Sequence, residues 1–360
     1  MKIIQRYIFR ELLLPFLVSA LTLSFIFMAG YMVRAANFII GRGVPLTDTL
    51  YVLLLALPDM VSYTIPMSLL TAVMIVFGNL SQYNEIRAFK ASGVNPYQIM
   101  LPAFVIGIVL SLGMFVFNDQ VATEAGFALR KTTKQLLVKH PKALVEPGRF
   151  VKLNDQVLFL TKQVEGDKLR DIVAYEVGEG DEPIRTIIAE SGEIITLPGQ
   201  SAMQIKLYNG SVSDAKTKEV QSIQFQTYEF PAYGQEDIAN MKKKMRDFTL
   251  AELLVKKENQ DVPASELSRF WTAFHERIAF SLGSFIFVFV GVPIAILVRR
   301  GEIVLSFAIS MAAASLYYIL FVGAKTLSIR GYLPAPVALW IPNALLLLAG
   351  ARLLRKSVNS

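Results

Sequence analysis

The amino-acid sequence predicts a polytopic α-helical membrane protein with six transmembrane helices and an all-β domain inserted between the third helix and the fourth. Composition is the first observation: 53% of the residues are hydrophobic and only 18% are charged, whereas soluble proteins carry about 25% charged residues. The second observation is a set of six uncharged stretches. The third is a charged segment between them, in which short β-rich runs alternate with turn sequences.

The six uncharged stretches are each close to the roughly 20 apolar residues that cross a bilayer as a helix. Their lengths are 22, 25, 28, 21, 22 and 21 residues, and they lie at residues 12–33, 60–84, 91–118, 278–298, 303–324 and 331–351. The first is too long for the apolar core of a signal peptide, and no small-residue cleavage site follows it. We therefore expect it to remain as the first span.

The net charge of +7 belongs to the membrane part of the chain, which argues against a nucleic-acid partner. Residues 119–277 contain 22 basic and 24 acidic residues, whereas the remaining residues contain 14 basic and 5 acidic ones. Ten of those 14 flank the spans at the two chain ends, in the 81–96 loop and between spans four and five. Because cytoplasmic loops are enriched in Lys and Arg, we expect these regions in the cytoplasm and the 119–277 insert outside.

The insert is predicted to be a β-domain framed by helices, so the chain divides into residues 1–118, 119–277 and 278–360. Short β-rich runs and turn sequences alternate in its centre, and Asn209-Gly210 is typical of a hairpin turn. This pattern indicates a sandwich or an open roll. Helices are expected to continue from span three over residues 119–140, to follow the Thr249–Glu252 capping box, and to lead from about Ser265 into span four.

No motif for nucleotide, metal or thiol chemistry accompanies these elements. The chain has no Gly-rich P-loop and no H-E-x-x-H sequence, its only histidines are His140 and His275, and it has no cysteine. Residues 178–181 spell the G-x-G-D sequence of intramembrane aspartyl proteases, but they lie in an acidic stretch of the soluble insert and are interpreted as a turn. The sequence therefore predicts no ATP site and no cofactor of its own.

The loop at residues 81–96 is predicted to form a short amphipathic helix. Glu85, Arg87 and Lys90 are its polar residues, Ile86 and Phe89 are apolar, and a glycine at position 93 ends it. Two interpretations stay open on this pattern. The helix either docks into a groove on a partner protein or lies on the lipid headgroups.

Three charged residues near the outer side of the membrane are further candidates. Arg34 lies at the outer end of span one, where its side chain either extends to the headgroups or, with Arg42, attracts an anionic substrate group. Asp59 is a functional candidate because intramembrane carboxylates are costly. However, Pro58 and Pro66 predict a broken helix, in which Asp59 would equally serve as a cap near the outer interface.

Several motifs resemble the LptF/LptG family, the six-span permeases of the lipopolysaccharide-export ABC transporter. The most specific is Asn84-Glu-Ile-Arg-Ala-Phe-Lys-Ala-Ser-Gly93, which resembles the cytoplasmic coupling helix of that family. Further matches lie at residues 6–11, 275–280, 291–293 and 340–343, so the resemblance covers the whole chain. The start Arg6-Tyr-Ile-Phe-Arg10-Glu11 is more similar to the F type than to the G type.

The resemblance implies a function as well as a fold. The insert would be a jellyroll-like periplasmic domain, and the chain a multi-pass protein of the bacterial inner membrane. Glu85 would dock on an ATP-binding ATPase dimer, with Arg87 and Lys90 beside it, and Arg34 would meet lipid phosphates. Spans one and five would form a lateral gate to a sister permease. The two permeases together would pass lipopolysaccharide to periplasmic jellyroll bridge proteins.

Two other classes of function remain as alternatives on the sequence. One is a membrane-embedded lipid-modifying enzyme that uses Asp59, although the other spans supply no second catalytic group. The other is a membrane scaffold or sensor with an external β-domain, which would tolerate replacement of Glu85. A transport subunit without its own ATPase site explains the absent P-loop, the short loop helix and the external domain together.

Overall fold

The computed structural model describes residues 2–36, 44–139, 148–154, 157–165, 168–177, 183–197, 202–214, 222–233, 241–259, 261–298 and 302–359. The chain divides into two compact units. The first unit comprises Met1–Gly30, Ala56–Phe127 and Lys243–Ser360. The second comprises Tyr31–Leu55 and Ala128–Lys242. Each has a hydrophobic core of its own.

Helices make up the described part of the chain before and after a single sheet. Before the sheet they are α1 (Lys2–Ala36), α2 (Leu46–Gln82), α3 (Glu85–Ala91), α4 (Pro96–Val116), a π-helix (Phe117–Ala122) and α5 (Thr123–Lys139). After the sheet, 3-10 turns at Met245–Asp247 and Ala264–Glu266 accompany α6 (Leu250–Glu258) and α7 (Leu267–Ser281). The remaining helices are α8 (Gly283–Val298), α9 (Ile303–Ile329), α10 (Ala335–Ala338) and α11 (Ile341–Asn359).

Five helices in the described residues are long and apolar enough to cross a membrane. A sixth candidate is the pair α7 and α8, which meet at Leu282 with a bend of 40°. The predicted fourth span, residues 278–298, falls on this bent pair. The predicted helical membrane protein is therefore confirmed, with five spans or with six if the bent pair counts as one.

The prediction of a broken helix around Asp59 was wrong. Helix α2 runs without interruption from Leu46 to Gln82 with two prolines inside it. A neighbouring helix supplies a hydrogen bond near Pro66: the Tyr318 hydroxyl of α9 donates to the Tyr63 carbonyl over 3.3 Å. Such bonds make proline tolerable in packed membrane helices. Asp59 is exposed in mid-helix, so it is not a helix cap.

The second unit contains an antiparallel sheet in which each strand pairs with the next one in the chain. The strands are β1 (Val151–Asn154), β2 (Val157–Glu165), β3 (Lys168–Val177), β4 (Pro183–Leu197), β5 (Ala202–Asp214) and β6 (Ser222–Tyr233). Alternate residues bury one face, which includes Phe159, Ile172, Ile187, Ile205 and Leu207. The predicted all-β character is confirmed, and the jellyroll form stays a prediction.

The hairpin predicted at Asn209-Gly210 was wrong, because both residues lie inside β5. Asn209 has a φ of 50°, a left-handed conformation that asparagine tolerates better than most residues. A Cβ at Gly210 would lie 2.4 Å from the Ile188 carbonyl oxygen and 2.4 Å from Cζ of Phe225. The glycine is therefore needed for close packing between neighbouring strands rather than for a turn.

The helices predicted around the insert agree with the structure. A helix continues from α4 through the π-helix to the end of α5. The capping box is formed, since Thr249 Oγ1 accepts from Glu252 N over 3.3 Å and Glu252 Oε2 accepts from Thr249 N over 2.7 Å. The helix expected near Ser265 begins as a 3-10 turn and continues as α7. Residues 178–181 and Arg42 lie outside the described residues.

Candidate functional site: the helix between the second and third spans

Helix α3 is held at both ends by the backbone of the loop that contains it. Asn84 precedes it with a φ of 60°, and Gly93 follows it with a φ of 81°. The Gly93 N–H bonds the Lys90 carbonyl and the Val94 N–H bonds the Phe89 carbonyl, both over 3.0 Å. This pair of bonds is the Schellman arrangement, in which glycine is favoured because it adopts a positive φ without strain. The predicted short helix and its end at glycine are confirmed.

The apolar face of α3 is fixed against the helical core of the first unit. Ile86 is 5% exposed, and Phe89 and Val94 pack beside it as partly buried residues. Arg87 and Ala88 are exposed on the other face. Because the apolar side is covered by the protein, the polar side is the accessible surface of α3.

The three polar residues predicted on α3 have different surroundings. Glu85 is half-buried, and its Oε2 accepts a hydrogen bond from the Tyr7 hydroxyl of α1 over 3.2 Å. Lys90 is half-buried, and its Nζ donates to the Val358 carbonyl over 3.1 Å. Val358 lies in the last turn of α11, where backbone carbonyls lack helical partners. The Arg87 guanidinium is exposed and donates only over 3.3 Å to its neighbour Asn84 among the bonds seen here.

The predicted substrate residues are less fully placed. Arg34 lies in the last turn of α1, and its side chain is outside the part of the chain that the structure describes. Among the described residues, no group of three or more His, Asp or Glu side chains is arranged to hold a metal ion.

An apolar cavity of about 450 Å³ opens between α1, α2 and α9. Its lining is almost entirely apolar and includes Leu14, Val18, Ile26, Ile75, Val304 and Phe307. Sequence reasoning missed it, because three helices far apart in the chain contribute its walls and none of their residues forms a motif. A wall of this composition suits hydrocarbon chains rather than polar ligands.

Two of the helices that line this cavity, α1 and α9, are the least buried spans among the described helices. We call the apolar 18-residue stretch of each span its apolar window. This window is only 17% buried in α1 and 22% buried in α9, compared with 78% in α2. Their exposed side chains are large and apolar, among them Leu17, Leu21, Phe25, Leu316 and Ile319. Exposing apolar faces of this size to water is unfavourable, so lipid or another membrane protein must cover them.

Comparison with known proteins decides the family. Residues 6–356 match the family described as lipopolysaccharide export system permease LptF/LptG. This chain belongs to the LptF/LptG family. The lipopolysaccharide export system permease protein LptF of Escherichia coli (strain K12) is 21% identical to it over 349 residues, which are 96% of this chain and 92% of that protein. The protein of the same name from Shigella flexneri has the same identity and coverage.

A shorter match connects the chain with the uncharacterized protein RP871 of Rickettsia prowazekii (strain Madrid E). The two are 20% identical over 158 residues, which are 44% of each chain. This alignment thus spans less than half of that relative. The match to the LptF/LptG family covers nearly the whole chain and confirms the resemblance drawn from the coupling-helix motif.

Membership of the LptF/LptG family has direct consequences for the alternatives. The family is a lipopolysaccharide export permease, and a multi-pass protein of this kind fits the bacterial inner membrane. The family is a transporter component rather than an enzyme. The alternative in which Asp59 is the catalytic carboxylate of a lipid-modifying enzyme is therefore not supported.

Proposed function

We propose that this chain is the permease subunit of an ABC transporter that extracts lipopolysaccharide from the outer leaflet of the inner membrane. It passes the lipid to a periplasmic β-jellyroll bridge, and a partner ATPase dimer binds ATP and drives the step. The observation that carries this proposal is the family match over residues 6–356. In this proposal the chain needs no cofactor and no nucleotide site of its own.

The ATPase docks on the polar face of α3. Arg87 is exposed there, and Glu85 stands at the first turn of the helix beside it. Lys90 is adjacent, but its amine is directed at the end of α11. Glu85 and Arg87 are thus the direct contacts in this proposal, and Lys90 holds the docking helix in place.

The lipid path runs along α1 and α9. These two spans bury the smallest share of their apolar windows, which supports their assignment as the lateral gate that faces a sister permease. The cavity between α1, α2 and α9 accommodates acyl chains. Arg34 at the outer end of α1, followed by Arg42, supplies positive charge for the lipid phosphates.

The orientation follows from the charge distribution. Both termini and the 81–96 loop lie in the cytoplasm, where ten of the 14 basic residues outside the insert are found. The sheet then stands in the periplasm as a jellyroll-like domain. There it receives lipid from the cavity and delivers it to soluble jellyroll bridge proteins.

Replacing Glu85 tests the coupling. The Glu85→Lys variant is expected to lose co-purification of the P-loop ATPase and to stop lipid release from vesicles. Glu302→Lys is the matched control, because Glu302 is exposed on the proposed cytoplasmic side and its side chain makes no cap hydrogen bond. If Glu85→Lys retained both ATPase binding and lipid release, the chain would be a scaffold or sensor instead.

Replacing Arg34 tests the substrate assignment separately. Arg34→Glu is expected to weaken photo-crosslinking of an anionic glycolipid, while ATPase co-purification continues. Arg330→Glu serves as the control, since Arg330 is an exposed arginine on the same proposed side of the membrane. Crosslinking that is equal in Arg34→Glu and wild type would contradict the phosphate contact.

A further inference from the structure

A buried ion pair joins the π-helix after α4 to helix α7. The Arg277 guanidinium donates to Oδ1 of Asp119, and the two side chains are only 7% and 15% exposed. Each partner makes a second bond to backbone. The Leu250 N–H donates to the same Asp119 oxygen over 2.7 Å, and Arg277 donates to the Arg246 carbonyl over 3.2 Å. Both charges are therefore compensated and the pair is fixed in one geometry.

The residue before Asp119 ties the same π-helix to two membrane helices. The Asn118 side chain accepts from the Ser62 hydroxyl of α2 over 2.6 Å and donates to the Ser281 hydroxyl of α7 over 3.1 Å. Thr123 Oγ1 also donates to the Asn118 carbonyl over 2.9 Å, which compensates for the irregular backbone of the π-helix. Single π-turns within α-helices occur frequently at functional sites. Here the side chains of Asn118 and Asp119, which are adjacent in the π-helix, both bond to other helices.

The position of this cluster in the chain is distinctive. The chain leaves the first unit after Phe127 and re-enters it at Lys243. Asp119 lies just before the exit, and Arg246 and Leu250 lie just after the return. Through the bonds to Leu250 and Arg246, the Asp119–Arg277 pair thus joins the outgoing and the returning segment within the first unit.

Helix α7 also connects this cluster to α9, one of the two least buried spans. Glu276, the neighbour of Arg277, accepts from the Lys325 ammonium of α9. One turn earlier, the hydroxyls of Thr272 and Ser328 lie 2.6 Å apart. A displacement of the outer end of α9 is therefore passed to α7 and, through Arg277, to Asp119 and the returning segment.

We propose that Asp119 and Arg277 are positioning residues that couple movement of the membrane helices to the segment leading back from the sheet. The transport part of this inference rests on the proposed function, since α9 moves only if it acts as a gate. Without the pair, the returning segment is released from the π-helix. ATP hydrolysis then continues while lipid delivery becomes inefficient.

Hydrogen exchange on the full chain tests the physical link without any assay of transport. In Asp119→Asn the charge that holds Arg277 and the Leu250 amide is lost, so peptides over residues 243–258 should exchange about tenfold faster. The apolar spans should keep their protection. Glu124→Gln is the matched control, because Glu124 is an exposed acidic residue of the adjoining α5. Unchanged exchange over residues 243–258 would overturn the proposal.

The complex with its ATPase tests the consequence for coupling. Asp119→Asn should reduce lipid release per ATP hydrolysed by about tenfold, within the range of known coupling energies. Arg277→Lys keeps the positive charge but not the second hydrogen-bond donor. Lipid release per ATP should therefore fall less in Arg277→Lys than in Asp119→Asn. The exposed Arg269 of the same helix supplies the control Arg269→Gln.

The two proposals fail in different ways. Release per ATP that is unchanged in Asp119→Asn would overturn the coupling role, and so would a loss of hydrolysis and of folded protein in parallel. If the wild-type complex itself released no lipid, the proposed function would fail. The exchange measurement would then still decide whether the pair holds the returning segment.

Discussion

The Tyr7 hydroxyl in α1 donates a hydrogen bond to Oε2 of Glu85 in α3, over 3.2 Å. This bond links the first residue of the proposed docking helix to a span that is largely exposed along its apolar window. The bond lies one residue before Ile8, which is fully buried in the helical core, so the N-terminal part of α1 is packed while most of its apolar stretch stays exposed. If the ATPase docks on α3 as proposed, a shift of Glu85 acts on α1 through this bond.

Replacing Tyr7 with phenylalanine should separate docking from gate movement. Tyr7→Phe removes only the hydroxyl and leaves the proposed docking residue Glu85 in place, so co-purification of the ATPase should persist. Lipid release should fall by about threefold, which corresponds to the roughly 0.5–1 kcal/mol that a solvent-exposed hydrogen bond contributes. Tyr83→Phe is the control, since Tyr83 is 70% exposed in the adjacent turn. Equal release from the two variants would contradict a role for the Tyr7–Glu85 bond.

Two substitutions on α3 that each remove a positive charge should affect different properties of the protein. Lys90 places its charge at the C-terminal end of α11, an interaction that contributes about 0.3–1 kcal/mol. Lys90→Gln should therefore lower the thermal unfolding midpoint of the detergent-solubilised chain. Arg87→Gln should leave that midpoint unchanged, because Arg87 is exposed, but it should weaken ATPase co-purification. A midpoint that falls equally in both variants would show that Lys90 does not anchor α11.

The capping box of α6 predicts a dependence of stability on pH. Burial acts to raise the pKa of Glu252, but its hydrogen bonds to Lys243 and to Thr249 outweigh burial and hold that pKa below its ordinary value of 4.5. The ionised carboxylate therefore stabilises the fold above pH 4.5, and this contribution is lost as the pH falls through the lower pKa of the folded state. Its size stays below about 1 kcal/mol, because the side chain is 43% exposed.

The substitution Glu252→Gln measures this contribution. The unfolding midpoint of the variant should lie below that of wild type at neutral pH, and the difference should shrink as the pH falls below 4.5. Glu258→Gln is the control at the other end of α6, where a carboxylate opposes the helix dipole. A difference for Glu252→Gln that does not change with pH would assign the effect to packing rather than to charge.

Local sequence rules predicted the elements whose ends depend on neighbours in the chain. Gly93 ends α3 because a positive φ is required there, and Thr249 with Glu252 begins α6 through bonds within one turn. Five of the six uncharged stretches coincide with helices long enough to cross a bilayer, and the remaining stretch lies on the bent pair α7 and α8. The polar face of α3 was likewise visible in the sequence, since its residues lie within a few positions of one another.

Contacts between distant segments account for what the sequence did not reveal. The stretch of α2 around Pro58 and Pro66 accepts a hydrogen bond from a side chain of α9. Because α9 is distant from α2 in the sequence, the sequence did not show that α2 is continuous. The partners of Glu85 and Lys90 are Tyr7 and Val358, at opposite ends of the chain. The cavity between α1, α2 and α9 likewise exists only once three helices are assembled.

The packing of β5 gives the sharpest test of such a distant contact. Gly210→Ala would place a Cβ 2.4 Å from the Ile188 carbonyl of β4 and 2.4 Å from the Phe225 ring of β6. The ring could turn aside, but the carbonyl is part of the strand ladder and cannot, so the fold should lose about 1–3 kcal/mol. If Gly210 instead formed a hairpin turn with an open surface, alanine would cost much less. Thermal unfolding of the full chain, followed with hydrogen exchange over residues 183–214, separates these outcomes. Gly126→Ala is the control: Gly126 lies in α5 with nothing within 4 Å of its Cβ position, so alanine there should stabilise the chain by up to about 1 kcal/mol.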